Sequence, residues 1–211
     1  MKRALTLLAF TLLLVGSLCA QHRGHGRNRS REFDFSVRAG LNMSQIDGDN
    51  SGLYSHPGFH LGVNTSFPLG DGDDWRFLVE IGLTQKGSLV KQIDRRISLF
   101  YVEVPLMLTY TLMDNHLRLG AGVAPAILAS ANVKDDGIYN DEQSANYKPF
   151  DWLPLVLGAR YKVSDRIAFD VRYYNSMLNV AKVNGVGAYR IFRSNKGQFN
   201  RLVQAGIVVC F

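Results

Sequence analysis

Residues 100–110 read FYVEVPLMLTY, and this stretch decides the fold class. Every even-numbered position in it carries an apolar or aromatic side chain: Phe100, Val102, Val104, Leu106, Leu108 and Tyr110. The odd-numbered positions include the polar residues Glu103 and Thr109. A repeat of two residues is that of a β-strand, whereas the side chains of a helix repeat every 3.6 residues. The stretch therefore predicts a strand with one apolar face and with Glu103 on the other face.

The same alternation recurs in seven other segments. They are residues 33–43, 59–67, 75–84, 117–124, 153–162, 166–174 and 199–211. In the last segment only Arg201 interrupts the apolar face. Short links at 68–74, 111–116 and 164–166 alternate with longer links at 44–57, 87–98, 130–150 and 176–198. An even number of strands, short periplasmic turns and longer extracellular loops are typical of outer-membrane barrels.

Aromatic side chains cluster at the ends of the strands that meet the short links. They are Phe33, Phe67, Trp75, Tyr110, Tyr161 and Phe211. Amphipathic rings favour the level of the lipid head groups, so this set predicts a periplasmic aromatic girdle. Candidates for the opposite rim are Met43, Phe59, Phe100 and Phe199. A soluble β-sandwich also alternates, but it gives no reason to gather aromatic residues at one end. We therefore predict that residues 33–211 form an eight-stranded antiparallel transmembrane β-barrel surrounded by outer-membrane lipids.

The N-terminus has the three parts of a secretory signal peptide. Lys2 and Arg3 precede an apolar run, and small residues follow as far as Ala20. We predict that residues 1–20 are cleaved, which would leave Cys210 as the only cysteine and no internal disulfide. A lipid-anchored alternative would acylate Cys19, but the residues before it match the usual signal poorly.

The excess of positive charge lies at the N-terminal end of the chain. The net charge is +6, and six Lys and Arg residues precede Glu32, with no acidic residue among them. Residues 21–32 are therefore expected to be a basic, flexible tail that could contact anionic lipid head groups or cell-wall polymer. The predicted barrel is neutral overall, and nucleic acid is not an expected partner.

The interior of the predicted barrel carries charged side chains. Eight strands enclose a lumen that side chains can fill, so a water-filled pore is not expected. The inward positions of the predicted charge network are Arg38, Arg76, Glu80, Glu103, Arg118 and Arg172, with Arg160, Lys162 and Asp170 also facing inward. Because buried charges need partners, we expect Glu103 to be a structural carboxylate held by two or more of the arginines at 38, 76, 118 and 172. Pro105 predicts a bulge or bend beside it.

Several short motifs together resemble the PorT-like outer-membrane β-barrel family of the Bacteroidetes. They are Gly40-Leu41-Asn42, Lys86-Gly87, Tyr101-Val102-Glu103-Val104-Pro105-Leu106, Gly120-Ala121-Gly122 and the terminal Phe211. The resemblance covers the chain from about Phe33 to Phe211. It implies a barrel whose final aromatic residue is read by the barrel-assembly machinery. The namesake of the family serves a protein-secretion system, a role that the shared fold alone does not transfer.

Motifs for chemistry are faint. Asp47, Asp49, Ser51 and Gly52 copy the opening of an EF-hand loop, but its twelfth position is Gly58 instead of a glutamate. Ser55, His56 and His60 lie close in sequence without the ordered spacing of a nucleophile and its base. We therefore expect no catalytic, metal or cofactor site, and we expect a structural or interaction module of the envelope whose protein partner is unknown. A lipid-modifying enzyme of the outer membrane is the alternative.

Overall fold

The computed structural model describes residues 34–47, 56–70, 74–90, 94–113, 116–182 and 198–211. Its strands are β1 (Asp34–Asp47), β2 (His56–Pro68), β3 (Trp75–Val90), β4 (Arg95–Glu103), β5 (Leu106–Leu112), β6 (Leu117–Val123), β7 (Ala126–Asp135), β8 (Ile138–Tyr139), β9 (Phe150–Asp151), β10 (Pro154–Lys162), β11 (Ile167–Ser176) and β12 (Phe199–Cys210). One short helix, α1, spans Asp141–Ser144. No helix within these ranges is long and apolar enough to cross a membrane.

The strands close into an eight-stranded antiparallel barrel, as the alternation predicts. We call each of the eight segments of the barrel wall a stave, which is either one continuous strand or two consecutive strands lying in line. β4 and β5 form one stave, β6 and β7 another, and β9 and β10 a third. Each stave pairs with its neighbours in the sequence, and β1 pairs with β12 to close the sheet. Closure matters because a membrane interior offers no water to satisfy the backbone groups of an open edge.

Proline marks the breaks within two staves. β4 ends at Glu103 and β5 begins at Leu106, so Pro105 lies where a bend was predicted. Pro105 cannot donate a hydrogen bond, but its carbonyl accepts one from Glu80 N at 2.9 Å. Val104 N donates in the same way to the carbonyl of Pro125, which separates β6 from β7. The prolines therefore interrupt the strands without leaving their carbonyls unpaired.

The register fixes the tilt of the strands. A line of paired residues leaves β1 at Phe35 and returns to β1 ten residues further along, at Gln45. Between them it crosses Thr65, Val79, Leu106, Val123, Leu155, Asn175 and Arg201. With ~3.3 Å per residue and ~4.8 Å between strands, a shift of ten over eight strands gives a tilt of about 40°. Ten residues along such a strand rise by ~25 Å, which is the height of the apolar band in outer-membrane barrels.

The two faces of the sheet follow the predicted alternation. Large apolar side chains outside the barrel stay exposed, among them Leu41, Leu61, Leu157, Val171 and Ile207. Side chains one residue along each strand point inward and are buried. Soluble proteins rarely expose so continuous an apolar surface, whereas a barrel in lipid requires one.

At the long-link end the strands run further than the alternation indicates. The links between staves shrink to residues 48–55, 91–94, 136–149 and 177–198. The bounds predicted for the longer links, 44–57, 87–98 and 130–150, are wrong. The alternation of apolar and polar residues stops before the strands end, so it does not mark the true strand ends. Residues 44–46 and 86–88 are each buried at three consecutive positions, so both faces of these strand ends are covered.

A small apolar core fills the barrel at this end. Ile46, Ile97, Leu99, Val133 and Tyr147 are buried in it together with Tyr101, Ala126 and Val180. Tyr147 and Val180 come from two different links, which join where Lys148 N donates to Val180 O at 2.8 Å. The links therefore pack into the mouth of the barrel and hold the extended strand ends together.

Candidate functional site: the charged lumen and the two rims

The centre of the lumen holds a closed ring of ion pairs. Arg38 Nε lies 2.6 Å from Asp170 Oδ1, and its Nη1 lies 3.5 Å from Glu80 Oε1. Arg172 bridges the same two carboxylates from the other side, at 3.0 Å to Asp170 Oδ1 and 2.8 Å to Glu80 Oε2. Arg160 adds a third cation at 3.2 Å from Asp170 Oδ2. All four members of the ring are at most 3% exposed, so their attraction is little screened by water.

A second group of charges lies at the short-link end. Asp34 Oδ2 is 3.2 Å from Arg76 Nη2 and 3.6 Å from Arg118 Nη2. Arg76 Nε also donates to Ser66 Oγ at 3.2 Å. The structure thus places Arg76 and Arg118 together, but in a different layer from Arg38 and Arg172. The six charged residues of the predicted network do not form one cluster.

Glu103 belongs to a third layer, towards the long-link end, and its predicted partners are wrong. It faces the lumen and is 2% exposed, as expected for a structural carboxylate. Its Oε1 pairs with Lys86 Nζ, and its Oε2 accepts a hydrogen bond from Thr84 Oγ1 at 2.7 Å. The ammonium of Lys86 also lies 5.0 Å from the ring centroid of Tyr101. None of the four arginines named for Glu103 contacts it.

The sequence pattern did not reveal the roles of two ion-pair partners in these layers. Lys86 lies two residues beyond the predicted end of its strand, although it continues the inward parity of Glu80 and Thr84. Asp170 was identified as inward-facing, but not as the residue that joins three arginines. Extending β3 by one more alternation would have found Lys86, whereas nothing in the sequence pattern shows which strands bring charges to the same height.

The short-link rim carries aromatic rings at nearly one level. The register places Phe67, Trp75, Tyr110, Tyr161 and Phe211 within ~5 Å of each other in height. Neighbouring rings pair around the rim, with centroids 4.9 Å apart for Trp75–Tyr110. Two rings that the sequence analysis left out complete these pairs, Phe35 against Phe211 and Phe77 against Phe67. Phe33 lies outside the described residues, and the contact of this rim with head groups stays a prediction.

The opposite rim differs from the set that was predicted. Phe59 and Phe100 pair on the outer surface at 6.1 Å, and Met43 is exposed near them. Phe199 was wrong as a rim residue because it is only 1% exposed. It lies above the apolar band, next to Gln198, whose carbonyl accepts a hydrogen bond from Val180 N at 2.9 Å. The rings of Phe150 and Trp152, stacked at 5.0 Å and exposed, complete this rim.

The residues considered for chemistry do not assemble into a site. His56 and His60 lie on β2 and face the lumen of the barrel, where each is at most 3% exposed. They therefore do not lie in a surface loop. Ser55 and most of the EF-hand-like stretch lie outside the described residues. Within the described ranges, no group of three or more His, Cys, Asp or Glu side chains could hold a metal ion.

A closed eight-stranded barrel with an apolar outer band of ~25 Å, aromatic rims and a charged interior defines a transmembrane barrel of the outer-membrane type. The chain belongs to the family of outer membrane protein beta-barrel domains, whose model matches residues 19–182. This membership places the protein in the outer membrane. It supports the broader family expectation, while the narrower PorT-like assignment is not shown by it.

The chain is similar to solved structures of small outer-membrane barrels. Ail, the attachment invasion locus protein of Yersinia pestis, matches with a TM-score of 0.53 at 13% identity, covering 85% of this chain and 99% of that one. Neisserial surface protein A matches with a TM-score of 0.47 at 18% identity, covering 84% and 97%. At 13% identity the likeness to Ail concerns the fold alone. No curated protein is similar enough in sequence to count as a relative.

Proposed function

We propose that the protein is a non-catalytic interaction module of the cell envelope, which binds a partner through the hairpin β7–β8. One observation carries this proposal: the hairpin ends in exposed apolar side chains far from the lipid. Ile138 is 74% exposed and Tyr139 is 62% exposed. Asp135 lies eight residues beyond Ile127, at the outer rim, so the tip stands ~20 Å above the apolar band.

Ion-pair and hydrogen-bond contacts brace the hairpin close to its turn. Arg95 Nε and Asp135 Oδ1 pair at 2.6 Å across β4 and β7, and Val133 N donates to Ser144 Oγ of α1 at 3.0 Å. Lys134 Nζ lies 4.3 Å from the ring centroid of Tyr139 and orients it. Aromatic and aliphatic side chains on a fixed support are common at the centres of protein interfaces because little conformational entropy is lost on binding.

In this proposal the side chains in the lumen stabilise the barrel and do not line a transport path. The ring around Asp170 spans β1, β3, β10 and β11, so it crosses the barrel from side to side. We further propose that residues 1–20 are a cleaved signal peptide that directs export and that residues 21–32 form a basic tail. The barrel-assembly machinery then inserts the barrel into the membrane by recognising Phe211. A PorT-like role in protein secretion is the narrower form of the same idea.

The test replaces the two exposed residues at the tip. Ile138→Ser with Tyr139→Ser should abolish the cross-linked complex that the wild-type protein forms in intact cells, while Val163→Ser at the short-link end should leave it unchanged. Heat-modifiable gel migration would show that each barrel is folded. A complex of unchanged yield with the doubly substituted tip would reject the hairpin as the binding surface.

A lipid-modifying activity is the alternative, and the buried positions of His56 and His60 count against it. Neither imidazole reaches the outer surface, where lipid lies. Mass spectrometry of lipid A from a deletion strain tests this directly. We expect the profile to match that of the parent strain, and a change reversed by restoring the protein would favour the enzyme.

A further inference from the structure

The strands β4 and β7 carry a polar surface directly above the outer rim. Phe100 of β4 pairs with Phe59 on the outside of the barrel, and its register partner on β7 is Ser130. The next row on the same face has Ser98 opposite Asn132, two residues beyond the rim along β4. With a rise of ~2.5 Å per residue, this row lies ~5 Å above the apolar band. Apolar side chains therefore give way to hydroxyl and amide groups where the lipid tails end.

The polar side chains of this surface are linked to one another. Gln85 Nε2 donates to Ser98 Oγ at 2.9 Å, and Asn132 Nδ2 donates to Ser130 Oγ at 3.4 Å. Ser130 and Asn132 are exposed. An amide offers two donor hydrogens and an acceptor oxygen, and a hydroxyl both donates and accepts, so these contacts leave further capacity for hydrogen bonds. A sheet face with donors and acceptors side by side suits a ligand that is rich in hydroxyl groups, such as a sugar.

Two cations face each other in the row above. Arg96 and Lys134 are register partners, and Arg96 lies four residues beyond Phe100, ~10 Å above the apolar band. Like charges directly opposite each other on one face of a sheet are destabilising. Within the described residues neither cation forms an ion pair with a carboxylate, since Asp135 pairs with Arg95 instead. Arg96 is exposed, so an anion from outside the chain can reach it and relieve the repulsion.

We propose that this polar surface binds a phosphorylated sugar in the head group of an outer-leaflet glycolipid, with the phosphate at Arg96 and the sugar on Ser98 and Asn132. The planar guanidinium can donate two parallel hydrogen bonds to phosphate oxygens. The surface continues the lipid-facing wall upward, so a lipid whose tails lie against the apolar band brings its head group to it. The surface does not include the exposed apolar residues of the hairpin tip, so the proposal is independent of partner binding there.

The test measures binding to the folded protein in detergent by native mass spectrometry. The probes are lipid A that carries a phosphorylated core oligosaccharide, the same glycolipid from a strain that does not phosphorylate the core, lipid A alone, and the free phosphorylated core oligosaccharide. We expect the wild-type protein to bind the first probe about tenfold or more tightly than the others, as a charge-assisted hydrogen-bonded pair allows. Arg96→Gln should remove this preference and leave the binding of lipid A alone unchanged.

Three further measurements separate the site from other effects. Asn132→Ala should weaken binding of both core-bearing glycolipids by a similar factor, because it removes a contact with the sugar and not with the phosphate. Arg166→Gln removes an exposed arginine at the short-link end and should change nothing. Without lipid, Arg96→Gln should leave the midpoint of urea unfolding unchanged or raise it, because one of two facing cations is gone.

Four results would overturn the proposal. Equal binding of the phosphorylated and unphosphorylated core glycolipids by the wild-type protein, or a preference that persists in folded Arg96→Gln, would exclude the phosphate site. An equal loss in Arg166→Gln would show that the effect is not located at this surface. A lower unfolding midpoint for lipid-free Arg96→Gln would assign Arg96 a structural role. Equally tight, Arg96-dependent binding of the free oligosaccharide would overturn the choice of a lipid-borne sugar.

Discussion

The pair formed by Lys86 and Glu103 offers the most direct test of how the lumen is stabilised. The two side chains are 1% and 2% exposed, so solvent screens their attraction little. At ~3 Å and an effective dielectric constant of about 20, the attraction between two unit charges is about 5 kcal/mol. Removing one partner from a buried pair costs about 3–5 kcal/mol, because the other charge stays buried without compensation.

We therefore expect Glu103→Gln to lower the free energy of unfolding by about 3–5 kcal/mol. The glutamine keeps the shape and can still accept from Thr84, so the loss reports the stranded ammonium of Lys86. Lys86→Met should cost a similar amount by stranding the carboxylate. Both changes together should cost less than the sum, by about 1–3 kcal/mol, because no charge is then left alone.

Urea unfolding in lipid vesicles, followed by the fluorescence of Trp75 and Trp152, measures these differences. For a urea slope of about 1–3 kcal/mol/M, each single variant should move the midpoint by more than ~1 M. Glu142→Gln on the exposed helix α1 is the matched control and should not move it. A wild-type midpoint for Glu103→Gln, or strictly additive losses in the double variant, would refute the pairing.

Three other results are expected. Gly122→Ala should destabilise the barrel by about 1–3 kcal/mol in the same unfolding assay, because the new methyl group would press against the carbonyl oxygen of Leu106. The hydrogen bond from Arg95 lowers the pKa of Asp135. The small contribution of this pair to stability should therefore be complete at pH values above the usual pKa of an aspartate, and it should be lost only as the pH falls through the lowered pKa of Asp135. Arg95→Gln should bring that pKa back up in an NMR titration. Removing Phe211, whose N donates to Phe35 O at 3.0 Å across the closing seam, should lower the yield of heat-modifiable barrel without lowering export.

The sequence was sufficient for the fold wherever one face of a strand meets lipid. There the requirement for apolar side chains at alternate positions is strict, so the parity of Glu80, Glu103 and Arg172 could be read directly. Above the bilayer the requirement disappears. Residues 44–46 and 86–88 are buried on both faces by other parts of the protein, which removes the alternation and hides the true strand ends.

The partner of Glu103 could not be predicted from the sequence. The alternation shows which face of the strand a residue lies on, but it does not show how high the residue lies along the barrel axis. Height depends on the stagger of ten residues around the barrel, which is a property of the pairing and leaves no mark in any single strand. With that stagger, Glu103 lies ~10–20 Å above Arg38, Arg76 and Arg118, too far for any of them to reach it. Arg172 is the nearest in height, but Glu80 and Asp170 already hold it. The charges in the lumen therefore pair within layers set by the stagger, and assigning each charge to its layer requires the register of every pair of neighbouring strands between the charges.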